Sequence, residues 1–124
     1  PIVMVDSFFG IEENCSYSGL TVTPDNIFCE AGKLQEPGII EHIAQSAAAR
    51  IGFIYTRQGA QVPLGFIGSV DKLRIYDLPE VGMKLFTEIT VVQEVFDITL
   101  IAAQVKADEK LIAECRMKIF IKKG

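Results

Sequence analysis

The stretch EPGIIEHIAQSAAARIGF, Glu36 to Phe53, is the feature that most limits what this chain can become. It reads as one long helix with almost no polar outer face, and a helix apolar nearly all round is normally enclosed by other structure. Pro37 suits the first turn, where a missing N–H costs nothing. Gly52 reads as the stop, which gives a rod of about 24 Å. The rest of the chain must supply the enclosure. Ala44, Ala47, Ala48 and Ala49 are small, which is expected where a curved sheet wraps closely around them.

The remaining segments have strand texture. Ile2–Val5 reads as a short strand or buried lead-in, and Gly19–Thr23 as a strand halted by Pro24, Asp25 and Asn26. After the helix, LGFIGSVDKLRIY is a strand in which Gly65 and Gly68 mark bends or close backbone approach. Pro79 and Gly82 form a turn. Lys84–Glu94, Phe96–Lys106 and Leu111–Ile121 are three further strands, with ADEK as the last hairpin turn. In the last strand Leu111, Ala113, Cys115, Met117, Ile119 and Ile121 share one face, while Glu114, Arg116 and Lys118 share the other. That period of two marks a sheet with one covered face. The sheet needs a cover and the helix needs an enclosure, so the expected fold class is α+β: a curved antiparallel sheet around one central helix. Residues 1–124 are expected to form a single domain.

Composition narrows the function. Hydrophobic residues make up 49 % of the chain, enough for a core without metals or disulfides. Three cysteines at irregular spacing, Cys15, Cys29 and Cys115, read as reduced thiols in an intracellular setting. One histidine and no close cysteine pair argue against a zinc site, and no cofactor is expected. The net charge of −4 disfavours nucleic acid. Arg50, Arg57, Lys72, Arg74, Lys118, Lys122 and Lys123 read as a scattered, solvated set rather than a patch. No apolar run approaches a membrane span. The start at Pro1 lacks a basic segment followed by an apolar one, so no leader and a cytoplasmic location are expected.

Three blocks carry a resemblance. PIVMVD resembles the opening strand of 3-hydroxyacyl-acyl-carrier-protein dehydratases, which have the hotdog fold. EPGIIEHIAQSAAA resembles that family's Pro-Gly turn and central helix. GFIGSVDKLRIYDLPEVGMKL resembles its following strand, with Phe-x-Gly, Asp-Lys and Pro-x-x-Gly elements. The resemblance implies an acyl thioester substrate on acyl carrier protein or coenzyme A, loss of water from a 3-hydroxyacyl group, and a homodimer or a heterodimer with a related hotdog subunit.

The implied chemistry needs a base for the proton beside the thioester carbonyl, an acid for the departing hydroxyl, and donors for the enolate-like oxygen. The resemblance places the helical acid at Glu41 and the family's glutamine at Gln45. It places the backbone donors at Gly38 and Ile39, at the electropositive helix start. Phe66 and Gly68 are expected beside the substrate. Phe8, Phe9, Phe28 and Phe53 are expected mostly in the core, with one or two of the phenylalanines lining an acyl tunnel. The family's Gly-His-Phe-Pro segment is missing: IFCEAGKLQEPG stands in its place without a histidine. His42 is the only histidine, and it is rotated by about 100° from Glu41 on the helix, so it reads as structural. Cys29 falls in the histidine's loop but has no base before it and reads as an inert thiol. Three functions stay open: a divergent dehydratase, with Glu41 alone or a partner's histidine; a hotdog acyl thioesterase using Glu41; and a non-catalytic subunit that binds an acyl group or stabilises a partner.

Overall fold

The computed structural model describes residues 2–122. Strands β1 (Ser7–Glu12) and β2 (Cys15–Thr21) open the chain. A two-stranded ribbon follows, β3 (Cys29–Glu30) and β4 (Lys33–Leu34), and then the helix α1 (Glu36–Arg57). Four long strands close it: β5 (Leu64–Ile75), β6 (Lys84–Val95), β7 (Ile98–Ala107) and β8 (Lys110–Lys122). Six of the strands form one antiparallel sheet in the order β1-β2-β6-β7-β8-β5.

The sheet's inner face comes from alternation. Leu85 and Ile89 on β6, Ile101, Ala103 and Val105 on β7, and Ala113, Cys115, Met117 and Ile119 on β8 are buried. They form one cluster with Ile39, Ile43 and Ala47, a stripe of the helix spaced by four. Register shifts on β1 at Phe8/Gly10, on β5 at Ile67/Ser69 and Asp71/Arg74, and on β6 at Val91/Gln93 bend the strands, which lets the sheet curl around the helix. The turn after β7 is tight: Asp108 and Glu109 both have positive φ, 48° and 71°.

The helix does not stop at Gly52. It runs 22 residues, about 33 Å. One glycine costs only about 1 kcal/mol in a helix interior, and the turns beyond it pack: the Phe8 and Phe53 rings lie 5.2 Å apart, and the Arg57 guanidinium stands 5.4 Å over Phe53. The chain turns out of the helix at Gly59, whose φ of +69° suits a helix end. The enclosure is also incomplete. Of the four alanines, Ala47 is buried, Ala44 and Ala49 are half-buried, and Ala48 is exposed. The side of the helix carrying Glu41 and Ala48 is left open by this chain's own sheet. The phenylalanines expected in the core divide: Phe28 packs against it and Phe8 is half-buried, while Phe9, Phe53 and Phe66 are exposed.

Ile2–Val5 is a lead-in rather than a strand, with Met4 fully buried. Among the basic residues, Lys72, Arg74, Arg116 and Lys118 lie on the neighbouring strands β5 and β8 and are interleaved with Asp71 and Glu114. Lys123 lies outside the described residues.

Candidate functional site

Pro37 starts the helix after Gln35, whose extended backbone makes it the cap. Gly38 is buried there because the preceding loop presses on it. A side-chain carbon at Gly38 would lie 2.6 Å from Phe28 Cβ and 2.7 Å from Leu34 Cδ1. Gly38→Ala is therefore expected to lower stability by about 1–3 kcal/mol, the range for overpacking a core, as read from urea unfolding. A loss under about 0.5 kcal/mol would mean that the loop yields freely.

The two backbone donors expected at this end are already used. Gly38 N–H donates to the Gln35 carbonyl at 3.0 Å and Ile39 N–H to the same oxygen at 3.2 Å. The first turn closes on itself, so the expectation of free amides at these two positions is not met. Ile39 is also fully buried, on the sheet side of the helix.

Glu41 is half-buried. Its Oε1 accepts a hydrogen bond from Gln45 Nε2 at 3.1 Å, one helical turn on. Gln45 does more than hold Glu41. Its Nε2 also donates to the Ile2 carbonyl at 2.9 Å, and its Oε1 accepts from Met4 N–H at 2.7 Å. Both amide hydrogens of Gln45 are thus engaged, one of them on the carboxylate. The lead-in is pinned a second time by His42. His42 Nδ1 meets the Met4 carbonyl at 2.6 Å and Nε2 meets Thr87 Oγ1 at 2.7 Å. A carbonyl only accepts, so Nδ1 carries the proton and Nε2 accepts from the threonine hydroxyl. Burial drives the histidine's pKa down, against smaller opposing effects of the Met4 carbonyl and Asp6, which favours this neutral ring. Side-chain types alone gave no sign that the partners would be Met4 and Thr87, 38 and 45 positions away.

Glu41, Ala44, Ala48 and Ile51 follow one another along one side of the helix. The last three line an apolar crevice of about 110 Å³, closed on its far side by Val62, Pro63 and the β5 residues Gly65, Phe66 and Ile67. Glu41 sits one turn before the crevice. Phe66 is on its wall. Gly68 is not; it makes room for the Phe120 ring, with which a side-chain carbon there would overlap. Strand β5 is the edge of the sheet, paired only with β8. Its Leu64, Phe66 and Ile67 are exposed. Cys29 is not activated: burial, and secondarily the charge of Asp25, push its thiol pKa up. Burial raises Cys115 to about 11.

No helix among the described residues is long and apolar enough to cross a membrane. No curated protein matches this sequence. Solved structures share the fold. The dehydratase heterocomplex ApeI:P from Xenorhabdus doucetiae matches with a TM-score of 0.83 at 14 % identity, over 98 % of this chain and 84 % of that one. A Streptococcus mutans protein bound to acetyl CoA matches with 0.74 at 11 % identity, over 95 % and 90 %. A hypothetical thioesterase from Streptococcus pneumoniae matches with 0.72 at 9 % identity, over 95 % and 91 %. The sheet curled on one helix is the hotdog fold. The ApeP-like family, described as ApeP dehydratase, matches residues 1–123, and this chain belongs to that family.

Proposed function

We propose that this chain is one subunit of a two-hotdog dehydratase that removes water from 3-hydroxyacyl thioesters carried on acyl carrier protein or coenzyme A. In this reading Glu41 makes one of the two proton transfers and a histidine of the partner subunit makes the other. The observation that carries it is the commitment of His42: both ring nitrogens are bonded inside the core. Among the described residues Glu41 is then the one proton-transfer side chain at the head of the apolar crevice.

Dehydration moves two protons. One leaves the carbon beside the thioester carbonyl. The other reaches the departing hydroxyl, which leaves as water while the new carbon–carbon double bond forms. A carboxyl held by Gln45 can serve one of these steps, and an imidazole brought across the subunit boundary serves the other. Gln45 acts as a positioning residue for Glu41. Phe66 and the crevice it lines offer an apolar wall to the acyl group. The helix-start amides of Gly38 and Ile39 are spent on Gln35, so in this reading the enolate-like oxygen takes its donors elsewhere.

A partner is supported by the edge strand as well. Strand β5 offers one side of unpaired backbone and an exposed Leu64, 66 % accessible, features that favour addition of another strand. The neighbour from Xenorhabdus doucetiae is itself a heterocomplex. The test is reconstitution. The chain alone, and the chain mixed with a hotdog subunit that has its own histidine, are each given a 3-hydroxyacyl thioester. The conjugated enoyl product is followed by absorbance. Product from the mixture well above the partner alone is expected. Equal rates with and without this chain would overturn the shared site. Release of free thiol with no enoyl product would favour hydrolysis instead, the activity named for the pneumococcal neighbour.

A further inference from the structure

The helix covers a second cavity, next to the apolar crevice, with Ile51 and Ile119 lining both. Arg50 follows Glu41 by nine residues, which turns it about 180° away around the helix. Beneath it lies a cavity of about 230 Å³ between the C-terminal half of α1 and the sheet. Its buried wall is Ala47, Ile89, Ile101 and Ile119, and Arg50 and Glu94 also line it.

Two features set this cavity apart from a packing defect. Its size exceeds the roughly 150 Å³ of an engineered, enclosed apolar cavity that takes up benzene, although this one opens to solvent past Gln58 and Glu94. The arginine beside it is also poorly satisfied. Arg50 Nη1 is buried without a hydrogen-bond partner among the described residues, and Nη2 has one long bond, 3.4 Å, to the Glu13 carbonyl. Native proteins rarely leave such a donor unpaired. Burial pushes the Arg50 pKa down; the charge of Glu94, which lines the same cavity, works against that, yet the two do not form an ion pair.

We propose that this cavity is a binding site for a small neutral molecule, mostly apolar and carrying one oxygen. Scaling from benzene in its cavity gives room for roughly nine carbons. The oxygen accepts a hydrogen bond from the Arg50 guanidinium after a small turn of the side chain. The ligand is neutral because Glu94 also lines the cavity, and a carboxylate would bring a second negative charge beside it. The site shares Ile51 and Ile119 with the apolar crevice, and Glu41 does not line it.

Nonan-1-ol is the probe, with nonanoate as its charged counterpart. At a hundred times its Kd the alcohol is expected to raise Tm by about 5–10 °C and nonanoate by less than half as much. Methyl contacts in NMR spectra should run from the alcohol to Ile89 and Ile101. Ala47→Leu, which fills the cavity, should abolish the shift. Arg50→Met should weaken alcohol binding about tenfold and carries the test if Ala47→Leu does not fold. Glu41→Gln should leave binding unchanged, so the result stands apart from the dehydratase reading. The proposal is overturned by no shift with nonan-1-ol, by contacts to Ala48 and Phe66 in place of Ile89 and Ile101, by equal effects of alcohol and carboxylate, or by Arg50→Met binding as the unaltered chain does.

Discussion

Glu41→Gln is expected to lower the dehydration rate of the assembled complex by about 10²- to 10⁴-fold, the usual contribution of a positioned general acid or base. The substitution keeps the size of the side chain and removes only its capacity to exchange a proton. Gln45 Nε2 still finds an oxygen to bond, because the new amide can present its carbonyl where Oε1 stood. Stability should therefore change by less than about 1 kcal/mol, and assembly with the partner should be intact by size-exclusion chromatography. A fall in kcat with KM nearly unchanged is the signature of a group that acts in the chemical step. A complex that keeps full activity with Gln at this position would remove Glu41 from the mechanism and leave the chain as a stabilising subunit.

The second large effect belongs to stability. His42→Leu should cost about 3–5 kcal/mol, because it leaves the Met4 carbonyl and the Thr87 hydroxyl buried without their partner. Thermal unfolding should show it as a drop of about 10–20 °C in Tm. The pH dependence follows from the direction of the histidine's shift. Folding holds the ring's pKa below its ordinary 6.5, chiefly through burial, so the unfolded chain takes up the proton more readily. The neutral ring's contribution is complete above about 6.5 and is lost as pH falls below it. The gap in stability between the unaltered chain and His42→Leu should shrink between pH 7 and pH 5. His42 is the chain's only histidine, so a single imidazole titration in NMR spectra reports on it without ambiguity. A ring that titrates at or above 6.5 in the folded protein, or a loss under 1 kcal/mol, would contradict the buried neutral pair.

The sheet was legible from sequence where side chains alternate. Strand β8 carries an apolar residue at every second position, β6 and β7 do so with Thr87 and Thr99 as buried polar exceptions, and the ends of all three fall within a few residues of the expectation. Strand β1 leaves little trace in the sequence, because a bulge at Gly10, φ +122°, breaks the alternation of Ser7–Glu12. The ribbon of β3 and β4 is too short to show a period. Gly52 does not end the helix because a helix end is decided by what packs on the last turns, here Phe8 on Phe53. The candidate site was legible as a list of residue types on one helix. Its wiring was not. Pairing of Gln45 with Ile2 and Met4 spans about forty positions, and nothing local encodes it. The same holds for the closed first turn, where Gly38 and Ile39 spend their donors on Gln35.

The leash at the front of the chain has a practical side. Residues 2–4 are gripped by Gln45 and His42, and Gln45 is also what steadies the Glu41 carboxylate. Trimming past Met4 would unhook that carboxylate without touching it, and a bulky fusion placed hard against Ile2 would tug on the same cord. A change made to residues 2–4 would therefore alter the protein's acid at a distance.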